Sequence, residues 1–136
     1  MDPSGKRRLG SMFSVTPNPI DISAILANAI APENGALATF MGTVRNHSEG
    51  QKIKQLYYEA YAPMALKSFE AVEKEVRALW KISQLSIIHR TGALSIGEIA
   101  VFILATAPHR KEALSACSYT IDRVKEISPI WKKEIV

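Results

Sequence analysis

Two prolines near the C-terminus, Pro108 and Pro129, set the limits of one helix and so constrain how the last third of the chain folds. The residue before a proline avoids helical backbone, so Ala107 is predicted to end a strand. Pro129 lacks an N–H, and in a continuing helix its ring would clash with the carbonyl one turn earlier. The helix is therefore predicted over about residues 110 to 127, and residues 130 to 136 should leave it in extended conformation.

This break decides whether two lysines can act together. Seven residues of unbroken helix would place Lys125 and Lys132 on one face about 10 Å apart, at ~1.5 Å per residue. With Pro129 between them, the two lysines can share a site only if the tail folds back. The local pattern alone equally allows Lys125 to be a cation that offsets the helix dipole, and Lys132 and Lys133 to be a solvated pair.

Length and composition indicate one domain with its own core, since the chain has 136 residues of which 47% are hydrophobic. No apolar run reaches the roughly 20 residues that span a bilayer, and the N-terminus has no apolar signal segment, so a cytoplasmic protein is predicted. The single Cys117 excludes an internal disulfide, and its spacing from His47, His89 and His109 fits no metal site. We expect no metal and no cofactor.

The formal charge of +4 suits an acidic partner or a phosphate-bearing substrate, and charge alone leaves nucleic acid open. Part of that charge lies in Lys6, Arg7 and Arg8, within a stretch that has no apolar periodicity, and Met12 resembles a natural start. Residues 1–11 are therefore expected to be a disordered or artificially added leader, and residues 12–136 to form the domain.

Hydrophobic periodicity predicts the element order α-β-β-α-β-β-α, which is typical of an α+β domain with a mostly antiparallel sheet. The elements before the last helix are a helix capped by Asp21, a strand over 36–44, a mobile loop over 45–52, a strand over 53–59, a helix from Pro63 to Trp80, and strands over 85–89 and 99–105 around a turn region marked by Gly92 and Gly97.

Helical spacing of apolar residues predicts the buried faces of the helices. The expected core positions are Ile22, Ile25, Leu26, Ala29 and Ile30 in the first helix, Ala65, Phe69, Val72, Val76 and Leu79 in the second, and Leu114, Cys117, Ile121 and Val124 in the third. Tyr57, Tyr58 and Tyr61 are expected to be core aromatics. Lys125 lies four residues after Ile121, at the edge of the buried face, where a lysine becomes partly desolvated.

Two places in the chain suit an anion. Arg45 follows the end of a strand, where the sheet fixes its base and its planar fork of donors matches phosphate oxygens. His109 and Arg110 stand at the start of the last helix, where free N–H groups and the helix dipole favour negative charge. His89 and His47 are interpreted as structural and loop residues. Cys117 lies on an apolar helix face without an adjacent base, which predicts a buried, inert thiol.

Five short motifs together resemble the catalytic (large) subunit of molybdopterin synthase. They occur in the family's order and at its spacings, over roughly residues 13 to 136, and five motifs in register are far more specific than any one of them. They are Gly42-Thr43-Val44-Arg45-Asn46-His47, Tyr58-Glu59-Ala60-Tyr61-Ala62-Pro63-Met64, His89-Arg90-Thr91-Gly92, Ala107-Pro108-His109-Arg110, and Ile121-Asp122-Arg123-Val124-Lys125 followed by Pro129-Ile130-Trp131-Lys132-Lys133-Glu134.

The resemblance implies a hammerhead-like fold and the conversion of cyclic pyranopterin monophosphate to molybdopterin by insertion of two sulfurs. The sulfur donor would be the thiocarboxylated C-terminal glycine of a small ubiquitin-fold subunit that ends in Gly-Gly. Two large subunits would form a homodimer within a heterotetramer. Sulfur would then arrive on the partner, in agreement with an inert Cys117.

The resemblance also implies the role of each matching residue. Lys125 would be the main catalytic, proton-transferring lysine, and Lys132 its partner in positioning the substrate and the thiocarboxylate. Arg110 is expected to share a pocket with both lysines, and a contribution from the other protomer of the dimer is left open. Further substrate contacts are expected at Thr43, Val44, Arg45, His109, Lys133 and Glu134.

Two other classes of protein stay open on residues alone. A nucleic-acid-binding domain would explain the charge, but the lysines of such a domain should line one surface together with exposed aromatics. Here the most basic run lies in the expected leader. We therefore predict no nucleic-acid partner, and we also predict no membrane partner. An enzyme that forms a Schiff base would also use a lysine. Borohydride trapping with a carbonyl substrate separates that class from sulfur transfer.

Overall fold

The computed structural model describes residues 11–136, which fold into three helices and nine strands. Their order along the chain is β1 (Phe13–Thr16), α1 (Ile22–Ala29), β2 (Ala36–Thr43), β3 (His47–Ser48), β4 (Gln51–Lys52), β5 (Gln55–Ala60), α2 (Ala62–Leu79), β6 (Gln84–Arg90), β7 (Gly92–Ser95), β8 (Ile99–Ala107), α3 (Arg110–Ile127) and β9 (Ile130–Ile135).

The predicted α+β class is confirmed, and the seven predicted elements occur in the predicted order among these twelve. Five strands were not predicted as strands: β1, β3, β4, β7 and β9, of which β9 lies in the tail that was predicted only to be extended. The first four have only two to four residues, too few for apolar alternation to stand out from chance. The predicted loop over 45–52 holds the β3–β4 hairpin, and the region marked by Gly92 and Gly97 holds β7.

The larger sheet has the strand order β1-β6-β8-β2 and is antiparallel except where β1 runs parallel to β6. Helices α2 and α3 cover one face, where the main core includes Phe69, Leu85 and Ile103 with no exposed surface. Helix α1 covers the other face over Phe102 and Leu104. Burial on both faces explains why β8 is a continuous apolar run.

The smaller sheet has the order β7-β5-β9 and is antiparallel throughout. A separate apolar cluster, which includes Leu56 and Leu94, joins it to the ends of β2 and β8. Because β9 pairs with β5, the tail that follows Pro129 folds back along the body of the protein. The sequence required the tail to fold back if Lys125 and Lys132 were to share a site, and the tail does fold back.

Several predicted core positions are exposed. Ile30 is 76% exposed, Leu79 57% and Leu114 60%, and Tyr57 and Tyr61 also lie at the surface. Ile30 and Leu79 stand at the C-terminal ends of α1 and α2. Tyr57 is exposed next to the half-buried Tyr58 because successive strand residues point to opposite faces. Tyr61 lies past the end of β5, at the N-cap of α2.

Leu114 is exposed because α3 packs through small residues instead. Ala113, Ala116, Cys117 and Thr120 are buried against the strands β2 and β8. Small side chains let the helix approach the sheet closely, and this choice of face rotates Leu114 toward solvent. Lys125, which was expected to be partly desolvated, is likewise exposed.

Helices α2 and α3 are also tied together at the surface. The Arg123 guanidinium donates to both carboxylate oxygens of Glu75, at 2.9 and 3.1 Å, and the Tyr119 hydroxyl donates to the same carboxylate at 2.7 Å. These bonds hold the pKa of Glu75 down at about 2, chiefly because Arg123 stabilises the charged form. They fix the half of α3 that carries Lys125.

The expected leader lies outside the described residues, apart from Ser11. The Ser11 hydroxyl donates to Glu73 at 2.7 Å and accepts from the backbone N–H of Leu85 at 3.1 Å. No helix in residues 11–136 is long and apolar enough to cross a membrane. Those residues also contain no cluster of three or more His, Cys, Asp or Glu side chains that could hold a metal ion.

Candidate active site

Two adjoining cavities of about 300 and 380 Å³ open at the C-terminal end of α3. They share four wall residues, Tyr58, Val101, Lys125 and Lys132, and we call the combined cavity the lysine cleft. Its walls come from the strands β2, β3, β5, β6, β8 and β9 and from α3. A volume of this size fits a small-molecule ligand, and the two lobes provide room for two different groups.

The turn after α3 brings Lys132 back to Lys125. The helix ends with the Ser128 N–H donating to the Val124 carbonyl at 3.0 Å, and the Ser128 hydroxyl is 2.7 Å from that of Ser68 on α2. The Pro129 carbonyl accepts from the Tyr61 N–H at 3.2 Å, which starts the pairing of β9 with β5. The proline that breaks the helix thus also starts the strand that completes the cleft.

Strand alternation sorts the residues of the tail. Lys132 and Glu134 line the cleft, whereas Lys133 pairs with the exposed Tyr57 on the opposite face of the smaller sheet. Lys133 was expected to contact the substrate, but neighbouring residues of a strand point to opposite faces, so it cannot face the cleft together with Lys132. Lys133 does not line either lobe.

The end of β2 supplies Thr43 and Arg45 to the larger lobe. The register with β8 shifts between Gly42 and Thr43, a bulge that redirects the strand at the rim of the cleft. Gly42 is needed there because a Cβ would stand 2.7 Å from Val101 Cγ1. Arg45 is exposed at this rim, with no sheet neighbour to restrict its reach.

Val44, another expected substrate contact, is only 2% exposed and does not line the cleft. Its backbone N–H donates to Glu98 at 3.0 Å and its carbonyl accepts from Gly97 at 2.8 Å. Its side chain packs in the cluster between the two sheets. Val44 therefore anchors the base of Arg45, and a contact with substrate would have to come from elsewhere in the motif.

His109 and Arg110 lie at the other end of α3, fifteen residues before Lys125. At ~1.5 Å per residue the two ends of this stretch are about 22 Å apart, so Arg110 cannot share the lysine cleft within one chain. Both residues are exposed and line a separate open depression with Gly35, Lys111 and Leu114. The expectation of a single pocket formed by Arg110 and both lysines is thus wrong for one chain.

Tyr58 and His89 are among the residues of the cleft wall that were not predicted as site residues. Tyr58 and His89 both line the smaller lobe beside Lys125, and their rings meet edge to face with centres 4.9 Å apart. His89 is buried, as a structural residue should be, but one side of it faces the cleft. The sequence feature that could have indicated His89 as a site residue was its position at the end of a predicted strand, inside one of the five motifs.

The environment of Cys117 does not favour a reactive thiol. It is 5% exposed, and burial raises the pKa of its thiol to about 11. At neutral pH such a group stays protonated, so it is a weak nucleophile. The prediction of a buried thiol is confirmed.

Comparison with known proteins identifies the family. The MoaE protein family model matches residues 15–127. The molybdopterin synthase catalytic subunit of Bacillus subtilis is 44% identical over 123 residues, which cover 90% of this chain and 78% of that protein. The X-ray crystal structure of molybdopterin synthase from Staphylococcus aureus matches with a TM-score of 0.85 at 40% identity, over 96% of this chain and 93% of that chain.

The fold is also found in a more distant protein. The complex of subunits 1 and 2 of the molybdopterin-converting factor from Helicobacter pylori contains a chain with a TM-score of 0.77 at 24% identity, covering 91% of this chain and 84% of that chain. The resemblance seen in the five motifs is confirmed by the family model and by the curated relatives. The chain belongs to the MoaE protein family, the family of molybdopterin synthase catalytic subunits.

Proposed function

We propose that this chain converts cyclic pyranopterin monophosphate to molybdopterin, with sulfur supplied by the thiocarboxylated C-terminus of a small ubiquitin-fold subunit. The observation that carries the proposal is the folding back of β9, because it sets Lys132 beside Lys125 in one cleft. A dithiolene requires two sulfur insertions at adjacent carbons. The enzyme must therefore hold an anionic pterin and an anionic thiocarboxylate close together, and two neighbouring lysines provide the charge.

The two lobes suit the two reactants. The smaller lobe is partly apolar, with Val101, Ile121 and Val124 in its wall, and ends at Lys125 and Lys132. The larger lobe is more polar and carries Thr43 and Arg45 at its rim. We assign the rim to the phosphate of the pterin, since a guanidinium donates to phosphate oxygens in pairs.

Each cleft residue then has a role. Lys125 transfers protons as the cyclic phosphate opens and as the thiocarboxylate is consumed, and Lys132 holds the thiocarboxylate. Thr43 donates a hydroxyl beside Arg45. Glu134, on the same face as Lys132, keeps the side chains of that face ordered by its opposite charge. No step requires a metal, a resident cofactor or the Cys117 thiol.

A second copy of the chain completes the substrate site in this proposal. His109 and Arg110 match the family's substrate contacts, yet they stand about 22 Å from Lys125 along α3 by its rise of ~1.5 Å per residue. They can reach the same pterin only from another protomer. We therefore propose a homodimer that becomes a heterotetramer with the small subunit, in the cytoplasm, where thiols and thiocarboxylates are kept reduced. A chain that sediments as a stable monomer at micromolar concentration would contradict this assembly.

Reconstitution tests the proposal. The chain is mixed with a thiocarboxylated small subunit and cyclic pyranopterin monophosphate, and dithiolene product is measured over time. Lys132→Ala should slow product formation by about 10²-fold or more, the scale for loss of one preorganised group that stabilises charge in the transition state. Lys133→Ala is the matched control, because it removes the same charge from the opposite face of the same strand.

Equal losses in the two variants would refute the assignment of Lys132 to the cleft. Absence of dithiolene from the unaltered chain would refute the function as a whole. If borohydride instead traps a carbonyl substrate on Lys125, the chain belongs with the Schiff-base enzymes.

A further inference from the structure

His89 is a buried histidine that the reaction described above does not use. It stands at the end of β6, is 7% exposed, and forms part of the wall of the smaller lobe together with Lys125 and Lys132. A histidine that served only the core would be enclosed by apolar side chains. This one separates the core from the cleft, so its two ring nitrogens have different surroundings.

The tautomer of His89 follows from its one hydrogen bond. Its Nδ1 is 2.8 Å from the backbone carbonyl of Arg90, and a carbonyl oxygen can only accept, so Nδ1 carries the proton. In a neutral imidazole the other nitrogen, Nε2, then has a free lone pair. Nε2 has no hydrogen-bond partner among residues 11–136, which leaves it available to the cleft.

The surroundings keep this imidazole neutral. Burial lowers the pKa of His89, the bond to the Arg90 carbonyl opposes that change, and the positive charge of Lys125 lowers the pKa further. The other groups around the ring are Tyr58 from β5 and Lys132 from β9. The Arg90 guanidinium is paired with Glu98 at 2.6 Å, so its charge is largely compensated.

We propose that His89 is the positioning residue of Lys125. The two residues line the same lobe but are not hydrogen-bonded to each other in this structure. A rotamer change of the flexible Lys125 side chain lets its ammonium donate to the free Nε2 lone pair, which then holds that group at the junction of the two lobes. This inference rests on the proposed function and adds the group that orients its central lysine. The four-carbon stem of lysine is flexible, and a single fixed acceptor selects one of its many rotamers. The tyrosine ring against His89 prevents the imidazole from rotating away.

A neutral acceptor is suited to this task for a physical reason. A carboxylate in the same place would form an ion pair with Lys125, and the pair would compete with the anionic substrates for the lysine. An imidazole lone pair directs one N–H of the ammonium and leaves the full positive charge, and the other two N–H groups, for the substrate. Within residues 11–136, the one carboxylate of the cleft wall is that of Glu134, which lies on β9 and in the other lobe.

Nitrogen NMR of the histidine side chains tests the contact without any substrate. At pH 7, His89 should show a protonated Nδ1 and an unprotonated Nε2. Lys125→Met should shift the Nε2 resonance and raise the pKa of His89, because a positive neighbour has been removed. Lys133→Met, which removes a lysine from the opposite face of β9, should leave both unchanged. A proton on Nε2, or equal responses to the two variants, would overturn the proposal.

Two variants of His89 then separate positioning from structure. His89→Asn keeps an amide near Nδ1 for the Arg90 carbonyl but offers no acceptor to the cleft, whereas His89→Gln places a carbonyl oxygen near Nε2. The Asn variant should lower kcat about ten- to hundredfold, the scale for a hydrogen bond to a charged group, with KM for the pterin little changed. The Gln variant should retain most of kcat.

Equal loss of kcat in both variants, or a loss that follows a lower Tm, would assign His89 a purely structural role and overturn the inference. Failure of the proposed function has a different signature. The unaltered chain would then make no dithiolene, while the tautomer of His89 and its response to Lys125→Met would still decide the contact between the two residues.

Discussion

The two ends of α3 are built in opposite ways. At the C-terminal end, six strands and α3 itself line the lysine cleft, all within one chain. At the N-terminal end, His109 and Arg110 stand exposed beside an open depression formed by few residues, where Gly35 approaches the Pro108 carbonyl too closely to carry a Cβ. Both ends carry positive charge, but the C-terminal end is the more enclosed of the two.

A helix end whose local features favour an anion is not, by itself, an enclosed site within one chain. The start of α3 has free N–H groups, a favourable dipole and two adjacent basic residues, Arg110 and Lys111. It lacks walls that exclude water and fix a second contact. The end of α3 has an unfavourable dipole for anions, yet the fold-back of β9 and the edge of β2 turn it into a cleft. Enclosure by distant segments outweighs the local signal.

The largest effect is expected at the enclosed end. Lys125→Ala should slow molybdopterin formation by about 10² to 10⁴, the range for loss of a general acid or base. Lys125→Arg should rescue little, because a guanidinium keeps the charge but cannot release a proton near neutral pH. The measurement is dithiolene product over time, with gel filtration and Tm as controls for the fold. A fully active Lys125→Ala would move the chemistry away from this end.

A smaller effect is expected at the open end. Arg110→Ala should weaken pterin binding by roughly 1.5 to 3 kcal/mol, the scale for a charge-assisted hydrogen bond, as measured by calorimetry. Unchanged affinity would remove Arg110 from the site.

Mixing Lys125→Ala with Arg110→Ala, at a pterin concentration too low to saturate the second variant, tests whether the two ends of α3 serve one site. If the site spans two protomers, a mixed dimer of Lys125→Ala and Arg110→Ala contains one intact site, so random exchange should restore roughly a quarter of the unaltered activity. Each variant mixed with itself is the control. No recovery in a mixture that demonstrably exchanges subunits would mean that the two ends do not serve one site.

A modest effect on stability is expected where α3 is tied to α2. The folded pKa of Glu75, about 2, lies below its ordinary value of 4.5, so its contribution to stability is present above about pH 4.5 and is lost as the pH falls toward 2. Glu75→Gln should lower Tm by a few degrees at pH 7. The gap should close near pH 2. A gap that is independent of pH would show that the ion pair does not hold this half of α3.

The smallest effect is expected midway between the two ends. Cys117→Ser should retain nearly full activity, because sulfur arrives on the partner and the thiol is buried with a raised pKa. Activity and Tm should be measured together, since a buried hydroxyl costs some stability. A variant that folds but makes no dithiolene would place sulfur chemistry on Cys117 and overturn the assignment of Lys125.

The sequence by itself determined the limits of α3, because Pro108 and Pro129 act on the backbone within one or two residues and no tertiary contact can restore a missing N–H. The cap at Asp21 is equally local, and the Asp21 carboxylate does accept from the Ala24 N–H at 3.1 Å. The order of the long elements and the family motifs were also recognised from patterns among residues that are close together in the chain. These features were therefore predictable.

Only the tertiary structure decided which residues meet. The pairing of β9 with β5 put Lys132 into the cleft and Lys133 outside it, and a shift of one residue would have exchanged them. Close packing through Ala113 and Ala116 turned Leu114 outward, although helical spacing alone favours the larger side chain. Strand register and close approach depend on contacts between residues far apart in the chain, and a local pattern carries no information on such contacts.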